Sequence, residues 1–98
     1  MKYEKSPDGT KLTVGLVGEV DAMNVNEIEE RLLKEIDGVT DLTFDLKELE
    51  YISSAGLRVL LGMQKTMKSQ GNMQIINTSE DVMEIFKVTG FVRLLNIV

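Results

Sequence analysis

The chain has no cysteine and no histidine. Without cysteine there can be no disulfide staple and no thiolate nucleophile, and the Cys/His zinc centres are excluded with it. Without histidine, the usual base for a serine nucleophile is missing, so a Ser-His-Asp triad cannot be assembled. Positive charge is in deficit: 11 Lys and Arg stand against 16 Asp and Glu, giving a net charge of −5. A nucleic-acid binder needs a basic footprint to displace condensed counterions, so direct nucleic-acid binding is not expected. No apolar run approaches the roughly 18 residues of a membrane span. The first residues, Met1-Lys2-Tyr3-Glu4-Lys5, carry charge where a signal peptide would carry an apolar stretch. These absences describe a cytoplasmic protein without membrane insertion.

What is present suits a globular fold. Hydrophobic residues make up 43% and charged residues 28% of the 98 positions, enough for one core and one domain over 1–98. Ser6-Pro7-Asp8-Gly9 is turn chemistry, with proline presetting φ and glycine accepting a positive one. It separates a short polar strand from a second over Lys11 to Val17, where Leu12, Val14 and Leu16 alternate with polar or small residues. Asn24 to Asp37 has helical periodicity: Val25, Ile28, Leu32 and Ile36 form one stripe, with Asn24 placed to cap it and Gly38 placed to end it. Leu42, Phe44 and Leu46 alternate with Asp41, Thr43 and Asp45 as a further strand. A helix from about Ala55 to Gln70, a strand from Met73 to Ile76 and a helix from Glu80 to Thr89 follow. Phe91 to Val98 closes the domain as a strand or a short helical turn.

After the hairpin, strands and helices alternate. Parallel strands joined by right-handed crossovers that advance across the sheet in one direction place their helices on one side. The expected architecture is α/β: a mixed sheet of four to five strands with helices mainly on one face.

The junction Asp45 to Leu57 carries the chemistry. Two serines followed by Ala55 and Gly56 stand where a strand hands over to a helix, leaving backbone N–H groups at the positive end of the helix dipole. A phosphate on Ser53 or Ser54 would be met by those donors; equally, either serine can simply be a helix cap. Glu19 and Asp21, two residues apart, read either as a carboxylate pair for a cation or as a solvated strand end, and no third ligand accompanies them. In the second helix, Val59, Met63 and Met67 form a stripe of their own, readable as core or as a partner surface. Gly62, unfavourable inside a helix, suggests close packing at that point.

Gly18-Glu19-Val20-Asp21-Ala22, Asp45-Leu46 followed by Tyr51-Ile52-Ser53-Ser54-Ala55-Gly56-Leu57, Gly71, and Phe86-Lys87-Val88-Thr89-Gly90-Phe91 together resemble the STAS domain family over almost the whole chain. The resemblance is to its anti-sigma-factor antagonists in particular. It implies a regulatory protein and not an enzyme, without cofactor or metal. Such a protein would bind an anti-sigma factor that is also a serine kinase, and phosphorylation at the position of Ser54 would end the binding. Partner contacts would come from Asp21, Ile52, Ser53, Ser54, Ala55 and Gly56, and Val59 and Met63 could extend the contact surface. Where the family usually has Asp before the phosphorylated serine, this chain has Ser53, which makes Ser53 a second candidate acceptor. The resemblance also admits a non-enzymatic STAS subunit of a lipid-transport ATPase complex or another signalling assembly. A monomer is the favoured oligomeric state.

Overall fold

The structure is a computed structural model that describes residues 1–98. Its elements run β1 (Lys2–Lys5), β2 (Lys11–Val20), α1 (Val25–Glu35), β3 (Asp41–Ile52), α2 (Ser54–Lys68), β4 (Asn72–Ile76), α3 (Glu80–Thr89) and a 3₁₀ turn at Phe91–Arg93. The sheet order is β1-β2-β3-β4; β1 pairs antiparallel with β2, and β2–β3 and β3–β4 are parallel.

The hairpin forms where turn chemistry demanded it. The Asp8 carboxylate accepts from Ser6 Oγ (2.7 Å), Thr10 N (3.1 Å) and Thr10 Oγ1 (2.8 Å), and Gly9 N donates to the Ser6 carbonyl at 2.9 Å. Beyond it, period-two alternation sends one set of side chains inward. Leu12, Val14 and Leu16 of β2, Leu42, Phe44 and Leu46 of β3, and Met73 and Ile75 of β4 are all buried, while Thr13, Thr43 and Gln74 between them are not. They join Leu32, Ile36, Leu57, Leu60, Val82 and Phe86 from the helices in one cluster of 23 buried residues. The helices therefore cover one face of the sheet, and the other carries the polar alternates, as an antiparallel or mixed sheet allows. Gly90, with φ 81°, ends α3 in the left-handed conformation that favours glycine.

Several boundaries differ from the periodicity. β2 continues to Val20 and β3 to Ile52, so the segment read as a strand-to-helix connection is mostly strand. The reason is a pair of bulges. Gly15 and Val17 face Asp45 and Glu48, and Gly18 and Glu19 face Leu49 and Tyr51, so β3 carries one extra residue at each step. Each bulge restores the inward face after three residues, which is why Leu46, Leu49 and Ile52 are the buried positions there. Asn24 occupies the cap position of α1 without capping it: its side chain accepts from Asp21 N (3.0 Å) and donates to the Glu19 carbonyl (2.8 Å) instead. The tail is a 3₁₀ turn followed by a single parallel bridge, Ile97 to Ile75.

α2 decides a reading that the sequence left open, removes Val59 and Met63 from the contact surface, and corrects the expectation at Gly62. Val59, Met63 and Met67 are 8%, 2% and 1% exposed, so this stripe is core and offers no surface to a partner. A helix lying against a sheet and flanked by α1 buries more than one stripe. A Cβ at Gly62 would meet nothing within 4 Å, so no close packing requires a glycine there.

Candidate functional site

The parallel register brings two connections to the same end of the sheet. Val20, the last residue of β2, pairs with Ile52, the last of β3. Ser53 N donates to the Val20 carbonyl at 2.8 Å, fastening the start of α2 to the end of β2. The turn 21–24 and the serine pair thus leave neighbouring strands, about 4.8 Å apart, side by side.

Within the serine pair the roles divide. Ser53 is extended (φ −83°, ψ 172°) and caps α2: its Oγ accepts from Gly56 N at 3.3 Å, and its carbonyl accepts from Leu57 N at 2.9 Å. With Ser53 N bonded to the Val20 carbonyl and Gly56 N to Ser53 Oγ, two of the four N–H groups that a helix start leaves open are satisfied. The N–H groups of Ser54 and Ala55 stay available. Ser54 is the first helical residue and is exposed, and no acidic side chain occupies the first turn of α2. An anion on its hydroxyl would meet free donors and the positive end of a 15-residue helix without a carboxylate to oppose it.

The small residues after the serines are there for packing. A Cβ at Gly56 would lie 2.6 Å from Ile52 Cγ1 and 2.8 Å from Val20 Cγ1, so only glycine lets α2 approach the strand ends this closely. Gly56 is buried and Ile52 is 1% exposed. These two positions support the site from beneath and do not form its surface, because Ile52 is the last inward residue of β3 and Gly56 faces it from α2. The surface itself consists of Ser54, the partly exposed Ser53 and Ala55, and the turn beside them.

That turn is ordered by its own side chains. Asp21 Oδ1 accepts from Met23 N at 2.9 Å, and the Asp21 carbonyl accepts from Asn24 N (3.3 Å) and Val25 N (3.0 Å). Asp21 thus orders the turn that starts α1. Its partner in the sequence reading, Glu19, lies on β2 and contributes its carbonyl to Asn24, so the two carboxylates serve different structures. Two exposed apolar side chains in this region have no counterpart in the sequence reading: Met23, 96% exposed, and Tyr51, 45% exposed. A large apolar residue among small and polar ones in a short connection, as in Asp21-Ala22-Met23-Asn24, was the available signal.

The geometry is that of a hydroxyl presented at a helix start beside the end of a neighbouring strand. A candidate anti-sigma factor antagonist of Bordetella bronchiseptica, BtrV, is 36% identical over 81 residues, covering 81% of this chain and 70% of that protein. The anti-sigma-B factor antagonist of Bacillus subtilis is 31% identical over 87 residues, covering 88% and 80%. Among solved structures, the anti-sigma factor antagonist SpoIIAA in its unphosphorylated form superposes with a TM-score of 0.80 at 20% identity, over 99% of this chain and 88% of that one. An antagonist of Mycobacterium paratuberculosis gives 0.85 at 18% identity, over 98% and 81%; at these identities the likeness establishes the fold. The STAS domain family model matches residues 3–98, and the chain belongs to the STAS domain family.

Proposed function

We propose that this protein is an anti-sigma-factor antagonist. When unphosphorylated it binds a kinase-type anti-sigma factor in the cytoplasm, and phosphorylation of Ser54 switches it off. The observation that carries this reading is the division of labour between the serines: Ser53 is committed to capping α2, while Ser54 stands exposed next to it. The named relatives, themselves antagonists of anti-sigma factors, support the partner class.

The protein is a regulatory binding protein and not an enzyme. It supplies an acceptor hydroxyl, and the partner must bring ATP, magnesium and the base. Phosphorylation adds about −1.5 to −2 charge at pH 7. Inside the helix start this charge is tolerated, but within a protein contact it must be desolvated, and a few kcal/mol is enough to dissolve a micromolar complex.

The test is phosphopeptide mass spectrometry after incubation with the cognate anti-sigma factor and ATP. Ser54→Ala should abolish modification and keep binding. Ser54→Asp should weaken binding at least about tenfold, with little change in melting temperature. Modification confined to Ser53, or undiminished in Ser54→Ala, would refute the assignment.

A further inference from the structure

Of the large apolar side chains left open to solvent, Met23 is the most exposed, at 96%; the others, Val17, Leu33, Tyr51, Val88, Leu94 and Val98, lie between 43% and 75%. It is not on a loose segment. Its N–H is bonded to Asp21 Oδ1, and the flanking Asn24 side chain ties the same turn to Asp21 N and the Glu19 carbonyl. A fully solvated thioether on a turn held by three hydrogen bonds is presented, at a standing cost in apolar hydration that nothing within the fold recovers.

The surroundings select what could cover it. From Leu12 to Glu30, and again from Glu48 to Leu57, the chain has no Lys or Arg. Glu19, Asp21, Glu27 and Glu50 outnumber the cations at this end of the sheet, which are Arg31, lining the same depression as Glu19 and Asn24, and Arg58, the nearest in sequence to the serines. We propose that Met23 is an apolar anchor for the partner that engages Ser54, inserting into an apolar pocket rimmed by cationic side chains. The inference rests on the antagonist reading and adds to it the side chain that carries the contact. Methionine suits the role because its unbranched thioether adapts to an irregular pocket. The anchor also explains how a surface without Ile52, Val59 and Met63 can hold a partner: the apolar contribution comes from the neighbouring connection.

The test uses the full chain and the cognate anti-sigma factor, with affinity measured by calorimetry. Met23→Ala should weaken binding about tenfold or more, the cost of truncating an interface anchor. Met23→Leu should bind as the wild type does, and Met23→Gln should fail like Met23→Ala. Melting temperatures should stay unchanged, since the side chain packs against nothing. Peroxide supplies a second reading on the intact sequence. It transfers one oxygen to the Met23 sulfur, giving the sulfoxide and water, and should weaken wild-type binding while leaving that of Met23→Leu unaltered.

Wild-type binding that Met23→Ala leaves intact would overturn the anchor and spare the antagonist reading. Absence of wild-type binding to any kinase-type anti-sigma factor would overturn both. Self-association of the wild type that Met23→Ala abolishes would assign the side chain to a second copy of this chain, against the proposal.

Discussion

Ser53 and Ser54 are chemically identical, and their different fates come from one residue of offset along a helix. The cap position needs an extended backbone and an oxygen aimed at the third N–H, which only Ser53 can supply. Ser53→Ala should therefore destabilise the fold by about 1 kcal/mol, read in urea denaturation, while Ser54→Ala should leave stability within about 0.5 kcal/mol. Gly56 works at the same scale. Gly56→Ala would press a methyl group against Ile52 and Val20, so its melting temperature should fall well below that of the wild type, and Ser54 phosphorylation should slow as the helix start shifts. Asp8 offers a pH signature. Hydrogen bonds from Ser6 and Thr10 hold its carboxyl down from an ordinary value of 3.8 to about 2. A depressed folded-state value gives stability that is present above pH 3.8 and lost as pH falls towards 2. Acid-unfolding curves should show Asp8→Asn with a shallower loss than the wild type across that window.

At the scale of elements, α2 is the informative one. It buries Leu57, Val59, Leu60, Met63 and Met67, leaving its start and its outer side to solvent. Met63→Ala should cost about 2–5 kcal/mol, as expected for truncating a fully buried methionine. Gly62 invites the opposite change. Its Cβ position is open and its helical conformation ordinary, so Gly62→Ala should stabilise by about 1 kcal/mol, visible as a rise of about 4–8 °C in melting temperature. Gly71 shows that an unremarkable glycine can matter more: a Cβ there would sit 2.0 Å from the Thr40 carbonyl oxygen, a backbone atom that cannot swing aside. In β3 the bulges matter because they carry the strand out to Ile52, which delivers the serines to the end of β2.

At the scale of the molecule, a sheet covered on one face and a core of 23 buried residues in one cluster imply a single cooperative unit. Fluorescence of Tyr3 and Tyr51, and far-ultraviolet circular dichroism, should report coincident urea transitions; separate midpoints would argue against it.

Much of this was legible in the linear pattern. Alternation in Leu12-Val14-Leu16 and Leu42-Phe44-Leu46, helical spacing in α1 and α3, and the turn at Ser6–Gly9 are local consequences of side-chain period and turn chemistry, and they survive folding unchanged. The serine pair before Ala55-Gly56 was equally visible, because cap chemistry depends on a few consecutive residues. What only the tertiary structure decided concerns neighbours distant in sequence. Whether Val59, Met63 and Met67 face solvent depends on α1 and the sheet packing around α2; whether Gly56 is needed depends on Val20 and Ile52; and whether the turn carrying Met23 leaves the sheet next to the serine pair depends on the register that pairs Val20 with Ile52. Periodicity states which residues share a face. It is the packing of faces against one another, and the bulges that adjust their register, that determine which of them a partner can touch.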